Sequence, residues 1–234
     1  MIKNKTDETP PNIDSKKGVP LYAQGSFDKQ LNYNLWSTSR TRYIAARRLR
    51  SKDARSSKAI AFLSAYMIIF TLSDYLFLSH LKGYNGSYIL FLNVTFSLLI
   101  LIFSQLESSA SYGVRAVKFH ECGLEISRLY KMLRRLKSRY EGHEKDDAFY
   151  KQVEAIDDEY DQVLKNYENH ELMDFELFKS NYPNYEDHKL NWIGVFNIQK
   201  KHYLKDVAIY HLVTYVPLAA FVYIVIKIIS GAEA

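Results

Sequence analysis

Ser64, Thr71 and Asp74 stand seven and three residues apart inside residues 59–79, a stretch that is otherwise apolar. Asn93, Ser97, Ser104, Ser108 and Ser111 follow at steps of 4, 7, 4 and 3. On an α-helix each set falls on one face. Polar groups in an apolar helix have two uses. They line a watery path, where an acid such as Asp74 attracts cations. Alternatively they hold helices together, because small hydroxyls permit close approach. Both readings stand at this point. The candidate lining set is Ser64, Thr71, Asp74, Asn93, Ser97 and Ser104.

Other reactive types point nowhere in particular. Three His-Glu pairs occur, His120-Glu121, His143-Glu144 and His170-Glu171, and none has the spacing of a helical zinc site. The single cysteine, Cys122, excludes an internal disulfide and the usual Cys-rich zinc modules. Glycine-rich phosphate loops and nucleophile elbows are absent. No catalytic residue, cofactor or metal is expected.

The polar stripes need helices to carry them. Residues 59–79 and 87–106 are each long enough to cross a bilayer, since about 20 residues rise about 30 Å. The turn HLKGYNG between them makes a tight hairpin. Before the first run lies a basic block containing Arg40, Arg42, Arg47, Arg48, Arg50, Lys52, Arg55 and Lys58, with Asp53 the one acid. Such a block suits either nucleic acid or the cytoplasmic flank of a membrane helix. The apolar run that follows favours the flank, so direct nucleic-acid binding is not expected. Both ends of the hairpin are basic, which puts the N-terminus and the long C-terminal portion in the cytoplasm.

Beyond the second run, Phe119, Cys122, Ile126, Leu129, Leu133, Leu136 and Tyr140 form a heptad seam. A second seam joins Phe149, Val153, Ile156, Tyr160, Val163, Tyr167 and His170. Residues 107–140 carry eight bases and three acids, whereas residues 141–187 carry fifteen acids and four bases. Opposite charge favours pairing of the two seams as an antiparallel hairpin. With no proline between them, residues 87–140 are expected to form one helix. A third uncharged run occupies residues 207–226 and contains Pro217. Residues 1–26 are polar and lack an apolar h-region, so they read as a disordered tail and not as a signal peptide.

Three blocks carry a resemblance: LWSTSRTRYIAARRL, SQLESSASYGVRAVKFHECGLEISRLYKML and YENHELMDF. Together they resemble the SLATT-domain family, in particular the subfamily met beside reverse transcriptases in prokaryotic conflict systems. The likeness covers about residues 26–205. It implies two transmembrane helices with a cytosolic helical extension, in a bacterial inner membrane. It also implies an effector that forms pores or disrupts membranes. Release would follow when a reverse transcriptase, nucleotide-signal synthase or nucleotide sensor detects invasion, causing death or dormancy.

The expected fold is therefore an all-α membrane protein. Its parts are a tail (1–26), a basic amphipathic helix (27–58), a transmembrane hairpin (59–106), a cytosolic helical stalk (107–205) and a third membrane helix (207–229). The expected function is a homo-oligomeric membrane effector triggered by a cytosolic partner. The alternative is a non-conducting anchor for a reverse transcriptase or nucleotide-signalling enzyme.

Overall fold

The computed structural model describes residues 24–80, 86–185 and 188–232, and the regular elements in these segments are helices. Residues 1–23 of the expected tail and 81–85 of the expected turn lie outside the described residues.

α1 (Phe27–Leu76) runs for 50 residues without a break. It contains neither glycine nor proline, so nothing in its backbone stops it where the composition changes near Lys58. The basic helix and the first apolar run are thus one rod.

α2 (Ser87–Ala110) and α3 (Tyr112–Arg139) return along it. Asn93 meets Thr71 at 2.9 Å, Ser97 meets Met67 at 3.1 Å, Gly113 faces the Asp53 carboxylate, and Lys137 meets Asp28 at 3.0 Å. Each step forward on α1 is matched by a step back on the returning pair. Close approach is helped by Gly123, where a Cβ would come within 3.0 Å of the Tyr43 ring. The expected single helix over 87–140 is interrupted at one residue. Ser111 has φ 47° and ψ 41°, the left-handed conformation, and joins α2 to α3. A non-glycine residue there costs roughly 1–2 kcal/mol, so the surrounding packing must hold it.

α4 (Asp147–Asn166) starts on an Asp146 side chain that accepts from the Phe149 N–H at 2.9 Å. The two predicted seams do meet: Cys122, Ile126, Leu129, Leu133 and Leu136 pack with Phe149, Val153, Ile156, Tyr160 and Val163. Leu31 and Leu35 of α1 complete the same core, so the stalk is a three-helix bundle and not a two-helix coil. The next layer, Ala45, Ala46 and Leu49 against Ala116 and Phe119, belongs to α1 and α3 alone.

Three more helices complete the described structure. α5 (Leu172–Asn181) runs antiparallel to it, with Asp174 at Arg48 and Phe178 at Trp36. α6 (Trp192–Asp206) comes back beside α5 through Lys201–Glu176 and Lys205–Glu171. α7 (Ala208–Ala232) continues through Pro217 and follows α1 in the same direction, with Phe221 stacked on Phe70 at 3.9 Å between centroids. α1, α2 and α7 each contain a stretch long and apolar enough to cross a membrane.

Candidate functional site

Consider first the polar atoms of the apolar helices. Thr71 Oγ1 donates to the Met67 carbonyl at 2.8 Å and accepts from Asn93 Nδ2 at 2.9 Å. Ser97 Oγ donates to the Asn93 carbonyl at 2.9 Å and lies 3.1 Å from Met67 Sδ. Ser64 turns back on its own helix and donates to the Ile60 carbonyl at 3.0 Å. The fold therefore brings Thr71, Asn93 and Ser97 into one cluster. Asp74 stands one turn beyond Thr71 and is half-buried, whereas Ser104 is exposed about 16 Å along α2 from Asn93.

Thr71 and Ser97 lie on the outer surface of the chain. The interior of the three apolar helices is filled instead by Leu63, Tyr66, Phe70, Ile89 and Phe96, with Val213, Phe221 and Val225 against them. Phe70 and Phe96 stand 5.3 Å apart between centroids. That interior is closely packed and apolar, so the polar cluster borders the three-helix set and does not run through it. Asn93 Oδ1 is buried and accepts no hydrogen bond, a costly state in an apolar medium.

At the foot of these helices is a second constellation, and here charges from distant parts of the chain converge. The Arg48 side chain is 3% exposed. Its Nε and Nη2 grip Asp174 at 2.7 and 3.2 Å, its Nη1 reaches Asp206 at 3.1 Å, and its Nη2 reaches Glu171 at 2.9 Å. Lys52 reaches Asp206 at 3.3 Å, His202 Nδ1 lies 3.2 Å from the same carboxylate, and Lys205 pairs with Glu171 at 2.9 Å. Three carboxylates thus face Arg48, Lys52 and Lys205. Asp174 also accepts from the Glu171 N–H at 3.0 Å and so caps α5.

The ionisation of these groups follows from the geometry. Burial by itself would raise the Glu171 carboxyl, but hydrogen bonds from Lys205 and Arg48 hold it at about 2. Burial likewise opposes the Asp206 charge, and the Arg48 and Lys52 cations overcome it and lower that carboxyl. Lys52 is kept above its ordinary value against burial by Tyr112 and Asp206. A buried cluster of this kind is held only while its members stay matched.

Arg42 is buried too. Its guanidinium sits 5.4 Å from the centre of the Phe119 ring and donates to the Glu168 carbonyl and to Asn169 Oδ1. Arg42 and Arg48 were expected on a solvated basic flank together with Arg40, Arg47, Arg50, Arg55 and Lys58. Of that set, Arg40, Arg47, Arg50 and Lys58 are exposed and Arg55 is half-buried. Arg42 and Arg48 are instead drawn inside, because carboxylates and carbonyls more than 120 residues away in sequence wait for them. The sequence singled out neither Asp174 nor Asp206, and Glu171 only as half of the His170-Glu171 pair. One signal was present: Arg42 falls seven residues after Leu35, on the face that packs on α3.

His170 is buried in part, and burial with the Arg42 charge lowers its pKa, favouring neutral imidazole. His120 and His143 are exposed elsewhere. Among the described residues, no three His, Cys, Asp or Glu side chains are placed to hold a metal.

A family model described as SMODS and SLOG-associating 2TM effector domain family 5 matches residues 24–223, from the residues just before α1 into α7. No curated protein and no solved structure matches the chain.

Proposed function

From the premise that the chain belongs to the SMODS and SLOG-associating 2TM effector domain family, we propose that this membrane effector permeabilises the bilayer as an oligomer. The observation that carries the proposal is the contrast within the apolar helices. Thr71 and Ser97 are exposed on the surface of one chain with Asn93 half-buried between them, whereas Phe70, Phe96 and Phe221 fill its interior. A polar path through this apolar set therefore lies between copies, where polar edges meet one another and not lipid. Asp74, Ser64 and Ser104 extend that edge.

In this reading residues 24–58 and α3–α6 stand in the cytoplasm, and the bilayer is the inner membrane. A cytosolic partner, such as a reverse transcriptase or a nucleotide-signalling enzyme, supplies the trigger. Its effect reaches the bilayer along α1, which crosses the boundary unbroken, and through the Arg48 junction, whose Asp206 ends α6 one residue short of α7. Cell death or dormancy follows from the lost barrier.

The test is release of dye from liposomes holding the full chain, together with membrane potential in cells that overproduce it. Leakage is expected, and replacing Asp74 and Asn93 by Leu should reduce it at least about tenfold while the chain stays folded. A barrier that stays intact even with the activating partner present would sink the proposal. The Thr71–Asn93 hydrogen bond by itself favours a second reading, a non-conducting anchor in which these residues only join helices. An anchor keeps its cellular effect in the Leu variants.

A further inference from the structure

Two apolar stripes stand exposed on helices that pack on different faces of α1. On α6 they are Trp192, Ile193, Phe196, Tyr203 and Leu204, with Trp192 78% and Phe196 58% exposed. Their spacing puts them on one face, and Lys200 lies in the middle of it. On α3 they are Val114, Val117 and Leu124, the last 52% exposed, and Glu121 lies in the middle of that face. Leu35, Arg42 and Leu49 of α1 face α3 and its neighbours, whereas Trp36, Arg48 and Arg55 face α5 and α6. The two stripes therefore belong to different faces of the chain.

Lys52 fixes their relative height. It reaches Asp206 at the end of α6 at 3.3 Å, and its Nζ lies 4.6 Å from the centre of the Tyr112 ring at the start of α3. From that common level both helices run away from the apolar spans. At 1.5 Å per residue, Val114 and Leu204 each stand about 3 Å above it, Lys200 about 9 Å, Glu121 about 13 Å, Phe196 about 15 Å and Leu124 about 18 Å. The apolar residues match in height, and the opposite charges fall within a lysine side chain of each other.

We infer that α6 of one copy packs antiparallel on α3 of the next, with Lys200 paired to Glu121. Because the contact joins two different faces, it repeats from copy to copy and closes into a ring when the rotation allows. A bilayer is not the occupant of the α6 stripe, since α6 stands alongside α5 and carries Trp192 about 20 Å from the foot of the helix. Exposed apolar stripes of this extent in water mark protein contacts. The spans lie directly below, so the same ring sets their polar edges side by side. The inference rests on the oligomeric part of the proposed function and not on conduction.

Cross-linking the full chain in native membranes with a short bismaleimide tests it. Glu121→Cys with Lys200→Cys in one chain should give a ladder of covalent oligomers. A mixture of the two single variants should give dimers and nothing larger. Either single variant alone, and the wild type with its buried Cys122, should stay monomeric on a gel. No ladder from the double variant, or equally strong self-linking of a single variant, overturns the contact. Charge exchange is the second measurement. Glu121→Lys should lower the oligomer fraction at least about tenfold, and adding Lys200→Glu should restore it. A folded double exchange that stays dissociated also overturns the contact. A ladder with tight liposomes leaves the contact standing and removes permeation, while leakage without a ladder does the reverse.

Discussion

α1 and the α2–α3 pair cover the same length of the molecule in opposite directions, yet they are built differently. α1 passes from a charged half to an apolar half as one helix of 50 residues. The returning pair makes the same passage through a left-handed residue, Ser111. Gly113, two residues on, is the obvious breaker by type, but it lies inside α3 and faces the Asp53 carboxylate. A rigid rod thus lies beside a jointed one. They are pinned at one end by Asp28 and Lys137 and at the other by Thr71 and Asn93. Relative movement has its natural place at the joint, and the Arg48 junction sits a single turn of α1 from it.

The largest way to break this comparison is Arg48→Met. It leaves Asp174 and Asp206 buried without their main partner, and the expected loss is about 3–5 kcal/mol in denaturant unfolding of the full chain in detergent. A loss under 1 kcal/mol would mean that water reaches the junction and that the rod is not anchored there.

Acid attacks both ends of the charged half. Burial opposes the Asp28 charge, but hydrogen bonds from Ser26, Lys137 and Lys145 hold its carboxyl at about 2, as Glu171 is held at the junction. Carboxyls lowered on folding stabilise the fold above their ordinary range, and that contribution is lost as pH falls. Thermal stability should therefore slip slightly below about pH 6.5, where His170 stays neutral only in the folded chain, and decline more steeply between about pH 4.5 and 2 as the two carboxyls are protonated. Asp28→Asn should make the decline shallower by on the order of 1–2 kcal/mol while lowering stability at neutral pH. An unchanged slope would show that Asp28 is not the pin.

Smaller changes sharpen the contrast between rod and joint. Ser111→Gly relieves the left-handed strain and should stabilise by roughly 0.5–1 kcal/mol in thermal melting. A destabilisation would mean that the joint is straight in the membrane. Thr71→Val removes the partner of Asn93 and should cost about 0.6 kcal/mol, the usual worth of such a bond between membrane helices. Helix-pair unfolding in detergent micelles measures it.

Much of this was legible in the chain because the signals are periodic. The residues from Phe119 to Leu136 and from Phe149 to Val163 announce a seam by their steps of three and four, and those positions are buried. The apolar runs announce themselves by length. Arg42 and Arg48 were not legible in the same way. A sequence shows a basic block as one feature, and burial of two of its members depends on partners that only the folded chain brings near. The continuity of α1 was hidden by its change of composition, although the absence of glycine and proline pointed to it. The left-handed turn at Ser111 has no signal in a serine-rich stretch beside a glycine.

The sequence by itself determined the all-helical class, the three apolar helices, the seam pairing and the polar stripes, because each is written in local spacing and in the solvent preference of side chains. Only the tertiary structure decided that α1 is the spine on which both halves pack. It also decided that Arg48 gathers Glu171 and Asp174 from the start of α5 and Asp206 from the end of α6, and that the Thr71–Asn93–Ser97 cluster lies beside an aromatic interior and not within it. These are long-range choices. They arise where buried charges must find opposite charge and where large rings must find space, and neither condition is visible until the chain has folded back on itself.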